Sequence, residues 1–157
     1  MICWRVAAET RRYRANDLSG LGAAANPGRW NAFGEAVVYA AQTRSLAVLE
    51  TAAHVDDGAF PLNRFLVEIE VPDDLWDARE VTDPNTLNPA WAAIPCGMAS
   101  VDHGSAWIRS ARSLILLVPS VIVPEEFVVL INPAHADARR LSATNRRSFE
   151  YDRLFRR

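Results

Sequence analysis

The stretch Leu114-Ile115-Leu116-Leu117-Val118-Pro119-Ser120, followed by Phe127-Val128-Val129-Leu130-Ile131 and closed by Asn132-Pro133, sets the architecture. Neither run alternates apolar with polar residues. Continuous apolar runs of this length, bounded by turn residues, are the pattern of strands covered on both faces. The first reads as a buried central strand. Pro119-Ser120 breaks it, and Val121-Ile122-Val123 reads as a short resumption. Upstream, Phe65-Leu66-Val67-Glu68-Ile69-Glu70-Val71 alternates cleanly, which predicts a strand with Phe65, Val67, Ile69 and Val71 on one face. Glu68 and Glu70 then form its solvated face, and Pro72 stops it.

Other elements fall between these strands. Ile2 to Val6 predicts a short opening strand that contains Arg5. Glu9 to Leu21 is polar and rich in arginine, an exposed connection. Asn26-Pro27-Gly28 is turn chemistry, followed by Arg29-Trp30-Asn31 and Gly34. Glu35 to Ala40 predicts a brief strand. Thr43 or Ser45 can cap a helix running to about Val55, with Leu46, Leu49 and Ala53 as its apolar stripe and Glu50 on the flank. His54 lies one further turn along. Gly58 to Pro61 reads as a turn. Asp73 to Pro95 is turn-rich, with Leu75, Trp76 and Trp91 as apolar anchors, and Met98 to Ala111 predicts a helix packed through Trp107 and Ile108. The tail from Ala134 is charged, with Phe149, Tyr151, Leu154 and Phe155 as anchors. Strands and helices are interspersed without strict alternation. The expectation is one α+β domain over residues 1–157 with a mixed β-sheet core.

The totals exclude several classes. The chain has 157 residues, 50% of them hydrophobic and 23% charged, the balance of a soluble domain rather than a disordered one. A net charge of −2 gives no global signal for nucleic acid. All 17 basic residues are arginine, a composition bias that also supplies fork-shaped phosphate donors. Cys3 and Cys96 form no metal spacing, as expected of structural thiols in a reducing cytoplasm. The opening residues do not read as a secretory leader, and no run is long enough to predict a membrane span. There is no Gly-rich phosphate loop, zinc pattern or nucleophile elbow, and His54, His103 and His135 stand isolated.

Arg29, Tyr39, Glu50 and Ser120 are the residues with chemistry to offer. Singly, each has a plainer reading: a loop arginine, a core tyrosine, a helix-edge glutamate in water, a turn serine. Together they fit one task. Arginines grip a pyrophosphate, an aromatic side chain offers a face to a ring, and a glutamate can hold a ribose hydroxyl and stabilise a developing oxocarbenium ion.

The chain resembles the RES-domain toxins of bacterial Xre–RES toxin–antitoxin modules. The resemblance rests on Gly28-Arg29-Trp30-Asn31, Val38-Tyr39-Ala40-Ala41, Leu46-Ala47-Val48-Leu49-Glu50, Leu117-Val118-Pro119-Ser120, Asn132-Pro133-Ala134-His135 and Phe149-Glu150-Tyr151-Asp152-Arg153-Leu154, with Trp4-Arg5-Val6 at the start. It covers nearly the whole chain, and the order and spacing of the tags are its specific part. It implies a fold similar to ADP-ribosyltransferases, with NAD⁺ as substrate and no metal. It implies that Arg29 and Arg5 bind the phosphates, that Tyr39 lies near the nicotinamide ribose, and that Trp30 and Asn31 shape the pocket. Glu50 would stabilise the transition state, and Ser120 would orient the substrate or Glu50. The implied partner is a cognate Xre-type antitoxin, through which alone DNA would be reached. Phosphate, water or a protein could accept the ADP-ribose. A catalytically inert partner of an Xre-type regulator is the alternative from another class. A ribonuclease fits least, because the histidines form no acid–base pair.

Overall fold

Seven strands in the order β4-β5-β6-β2-β1-β3-β7 form the sheet of the computed structural model, which describes residues 1–53 and 62–155. They are β1 (Ile2–Ala8), β2 (Val38–Ala41), β3 (Arg64–Glu70), β4 (Glu80–Val81), β5 (Ile115–Pro119), β6 (Phe127–Ile131) and β7 (Ser142–Phe149). The helices are α1 (Leu21–Ala25), α2 (Arg44–Ala52), α3 (Asp73–Asp77), α4 (Met98–Ser110) and α5 (Asp152–Phe155). Only β4 and β5 pair in parallel; the other neighbours are antiparallel, so the sheet is mixed and the class is α+β.

The two apolar runs form a hairpin, with Ile115 opposite Ile131 and Pro119 opposite Phe127. All five residues of β5 are buried, as continuous hydrophobicity demands of a strand covered twice. Its place is next to the sheet edge rather than central, because the two-residue β4 lies outside it. Val121-Ile122-Val123 is a bend and not a strand. Ser120 Oγ accepts the amides of Ile122 at 3.1 Å and Val123 at 3.0 Å, and these local bonds turn the chain before it can extend.

Alternation divides the apolar residues between two faces. Cys3, Ala7, Val38, Ala40, Val67, Ile69, Ile115, Leu117, Val129 and Ile131 form the core of one face. On the other, α2 covers Trp4, Ala41 and Leu66, and beside it Trp30 and Trp107 pack with Leu116, Val118, Val128 and Leu130. The face carrying Val67, Ile69 and Val71 is buried as its alternation predicts. The other face of β3 is not simply solvated: Leu66 is buried, and the Glu68 carboxylate pairs with Arg146.

Strands β1 and β2 share one register pair, Trp4 with Ala41, whereas β1 and β3 share seven. The sheet therefore parts into two leaves, β4-β5-β6-β2 and β1-β3-β7. The polar connection after β1 is less exposed than its composition predicts: Ala15 is fully buried in the first core, its amide held by Glu9 Oε2 at 2.8 Å.

Thr43 caps α2, its side chain accepting the Leu46 amide. The buried residues of α2 are Leu46 and Ala47, while Leu49 is 41% exposed and Ala53 is also exposed, so the stripe expected from Leu46, Leu49 and Ala53 is displaced. The inward line runs through positions 46, 47 and 50. It follows from the seat of α2 on Trp4, Ala41 and Leu66, and it moves Glu50 from the flank toward the sheet. The expected continuation of the helix to Val55, His54 and the turn at Gly58 to Pro61 lie outside the described residues. In the tail, β7 is an element that the charged sequence conceals; it pairs antiparallel with β3 from Ser142–Glu70 to Phe149–Arg64. Leu154 is 47% exposed and is no anchor, whereas Tyr151 is 1% exposed.

Candidate active site

The loop from Asn26 to Glu35 is built around the Asn31 side chain, which is fully buried. Asn31 Nδ2 donates to the carbonyls of Ala23, Ala32 and Glu35 at 2.9, 3.2 and 3.0 Å. Asn31 Oδ1 accepts the Gly28 amide at 2.9 Å and the Tyr39 hydroxyl at 2.8 Å. The Tyr39 oxygen in turn accepts the Trp30 amide at 2.9 Å. Burying an amide side chain is costly unless its donors and acceptor are met, and here they are. Gly28 makes the closure possible: a Cβ there would stand 2.7 Å from the Tyr39 ring. Burial pushes the Tyr39 phenol well above its ordinary range, an effect the Trp30 amide opposes. At neutral pH Tyr39 is thus a hydrogen-bonding phenol and not a base.

Helix α4 holds the loop from behind. Trp30 is 2% exposed, stacked on Trp91 with centroids 5.9 Å apart and edge-on to His103. Burying an indole of about 200 Å² at about 25 cal/mol/Å² contributes about 5 kcal/mol before entropy is counted. Gly104 lets the helix approach, since a Cβ there would lie 1.9 Å from the Trp30 carbonyl oxygen. Glu35, expected in a strand, instead precedes β2 and acts as a clamp. Its carboxylate accepts the Ser105 hydroxyl, the Ala32 amide at 3.0 Å and Arg109 at 2.9 Å. Burial works to raise the Glu35 pKa, but these partners outweigh it and hold the carboxyl below its usual range.

Arg29 is half-buried at the rim. Its Nη1 donates to the carbonyls of Trp91 at 2.8 Å and Ala93 at 2.9 Å. Nε and Nη2 have no protein acceptor among the described residues, so part of the fork remains available to an anion. The guanidinium is close enough to act electrostatically on the Tyr39 phenol, as does the Cys96 thiol.

Glu50 and Ser120 form a second group. The Ser120 hydroxyl donates to Glu50 Oε1 at 2.5 Å, while its oxygen accepts the two amides of the bend. Donation from those amides polarises the hydroxyl toward the carboxylate. Ser120 is fully buried, and Glu50 is partly exposed, so one carboxylate oxygen is fixed while the group keeps access to solvent.

Tyr39, between Val38 and Ala40 of the first core, faces the opposite side, where α2 and Trp30 lie. Ser120 continues the parity of Leu116 and Val118 on that same side. Arg29, Trp30, Asn31 and Tyr39 thus form one network, Glu50 and Ser120 another, on one face of the sheet. No hydrogen bond joins the two among the described residues. Arg5 joins neither. It alternates with Cys3 and Ala7 on the other face and donates to the Asp17 carbonyl at 3.3 Å, where β1 and β2 part. Desolvation lowers its pKa to about 10, so it keeps its charge at neutral pH.

Several contributors carry no signal in the sequence. Glu35 reads as the start of a strand, and Gly104 is one small residue inside a helix. Trp91 reads as an anchor from its type, but its partner Trp30 is set by tertiary packing. Among the described residues no group of three His, Cys, Asp or Glu is placed to hold a metal ion, and no helix is long and apolar enough to cross a membrane.

Residues 2–152 match the model of the RES domain family. The chain is 53% identical over 149 residues to a protein of Sphingobium sp. (strain YBL2) named Prs ADP-ribosylating toxin, covering 95% of this chain and 92% of that one. It is 36% identical over 153 residues to Toxin Res of Yersinia enterocolitica, with 97% of each chain covered. Toxin Res of Photorhabdus laumondii is 35% identical over 147 residues, covering 94% of this chain and 91% of that one. With a family match over residues 2–152 and relatives of 53% and 36% identity aligned along nearly its whole length, the chain belongs to the RES domain family.

Proposed function

We propose that this chain is a toxin that consumes NAD⁺ by breaking the bond between nicotinamide and ribose. The observation that carries the reading is the Ser120–Glu50 pair on the face that also bears Tyr39 and the Arg29 loop. In such a reaction the electron pair of the glycosidic bond leaves with nicotinamide, and C1′ gains positive charge. A carboxylate held by one oxygen and open at the other is suited to that charge or to a ribose hydroxyl. Glu50 takes this role, and Ser120 is the positioning residue that fixes it. The free donors of Arg29 bind the pyrophosphate. Trp30 and Asn31 hold the loop in shape, and Tyr39 lines the pocket beside it. Arg5, on the opposite face and turned to the Asp17 carbonyl, is left out of this reading.

The acceptor at C1′ is phosphate, water or a protein side chain, each losing a proton as the new bond forms. The name of the Sphingobium relative favours transfer to a protein. An Xre-type antitoxin that covers the cleft is the partner this reading expects, in the cytoplasm where NAD⁺ is met.

The test is to incubate the purified chain, free of any partner, with NAD⁺ in buffers with and without phosphate. Product masses separate ADP-ribose 1″-phosphate, free ADP-ribose and modified protein. Glu50→Ala and Arg29→Ala should each remove nicotinamide release. If the folded wild-type chain releases none in either buffer or with candidate acceptor proteins, the reading fails and an inert regulatory partner becomes the better one.

A further inference from the structure

A cavity of about 370 Å³ lies on the β1-β3-β7 leaf, on the face covered by α2, and is lined by Trp4, Arg44, Leu66, Glu68, Arg146 and Arg147. This is within the size range of small-molecule sites, about 300–1,000 Å³. Its lining holds three guanidiniums and one carboxylate.

The arginines come from different elements. Arg44 opens α2 and stands over the Trp4 ring, 3.8 Å from its centroid. Arg146 and Arg147 are consecutive on β7. In a regular strand they would point to opposite faces. The register breaks here: Leu66 pairs with Arg147 and Val67 with Asn145, so Arg146 is the extra residue of a bulge. That bulge turns both guanidiniums into one cavity, opposite Leu66 and Glu68. Arg146 is paired with Glu68. Arg147 Nη1 donates to the Ser148 carbonyl at 3.1 Å, and neither Arg44 nor Arg147 forms an ion pair among the described residues, although Arg44 is close enough to act on the Glu68 carboxylate. Three guanidiniums share the one lining carboxylate over an apolar floor of Trp4 and Leu66, leaving an excess of positive charge.

Edge strands often carry bulges and charges that discourage association, and Arg146 and Arg147 serve that purpose too. Edge protection does not call for a third arginine from α2 on the facing wall.

We propose that this cavity is an anion site for a phosphate-bearing ligand, separate from Arg29. The guanidinium fork suits phosphate oxygens, and the excess of positive charge suits a dianion better than a single carboxylate.

Titration calorimetry of the full chain with inorganic pyrophosphate, and separately with adenosine diphosphate, tests it. Binding of both probes identifies the phosphates as the recognised part; binding of adenosine diphosphate alone overturns the assignment. The titrations are made in the Arg29→Ala background, so that anion binding at the proposed catalytic loop does not contribute, and pyrophosphate should still bind there. Adding Arg44→Gln/Arg147→Gln should weaken that binding about tenfold or more, with the fold checked by circular dichroism. No heat in Arg29→Ala, or unchanged affinity when the two further substitutions are added to it, would each overturn the proposal. If the variant with both added substitutions does not fold, Arg147→Lys in the same background keeps the charge and removes the fork. It should weaken binding about threefold, and equal affinity is again the overturning result.

Discussion

Replacing Tyr39 by phenylalanine isolates what one hydroxyl does for the Arg29 loop. The ring stays, so its contact with Gly28 is kept. The hydroxyl takes two hydrogen bonds with it, to Asn31 Oδ1 at 2.8 Å and from the Trp30 amide at 2.9 Å. Asn31 Oδ1 keeps the Gly28 amide, but the Trp30 amide, in a residue only 2% exposed, is left without an acceptor. A net hydrogen bond is worth about 1 kcal/mol, and a buried orphan donor costs about 1–3 kcal/mol. The sum is about 2–4 kcal/mol. For a domain of this size about 1 kcal/mol moves Tm by about 2–4 °C, so Tyr39→Phe should melt about 4–16 °C lower. Thermal melting by circular dichroism measures the global part, and amide hydrogen exchange at Gly28 and Trp30 measures the local part. A Tm within about 1 °C of wild type with unchanged exchange at both amides would refute the reasoning, because the hydroxyl would then not hold the loop.

Ser120→Ala should lower kcat of NAD⁺ consumption by about tenfold while changing KM little, since Ser120 acts through Glu50; an unchanged kcat would show that the carboxylate needs no such fixing. Gly104→Ala forces a Cβ to within 1.9 Å of the Trp30 carbonyl oxygen and should cost about 3 kcal/mol or more, seen as a large fall in the denaturant midpoint. Glu35 binds its proton less readily folded than unfolded, so its contribution is complete above the ordinary carboxylate range, declines below it, and is lost as pH falls through the lowered folded value. Melting temperature should therefore drop on acidification, and Glu35→Gln, followed across the same pH series, should flatten that acid limb.

The strands most legible in the sequence are those whose pattern is set by their own residues. Leu114 to Val118 and Phe127 to Ile131 read as strands because both of their faces are buried, and Phe65 to Val71 because its alternation matches the sheet period. β7 escaped because Ser142–Phe149 is an exposed edge, paired through its backbone and almost free of buried apolar side chains. The α2 stripe is displaced from the expected one, because the seat of the helix is chosen by Trp4, Ala41 and Leu66 on three other elements. At the site, Arg29, Tyr39, Glu50 and Ser120 stand out by residue type near element ends. Their division into two networks does not, since it depends on the bend after Pro119 and on the Asn31 core of the loop. Glu35 carries no local signal for its partners Ser105 and Arg109, which lie 70 and 74 residues away.

The order in which the chain is made matters to the leaf under α2. That helix rests on Trp4 of β1 and Leu66 of β3, and β3 has an open outer edge until Ser142–Phe149 pairs with it. A two-stranded ribbon is marginal in water. The platform beneath Glu50 is therefore completed only once residues 142–149 have been made, long after Glu50 itself has been joined to the chain. A chain that stops before residue 142 is left with a bare β3 edge beneath the helix that carries Glu50.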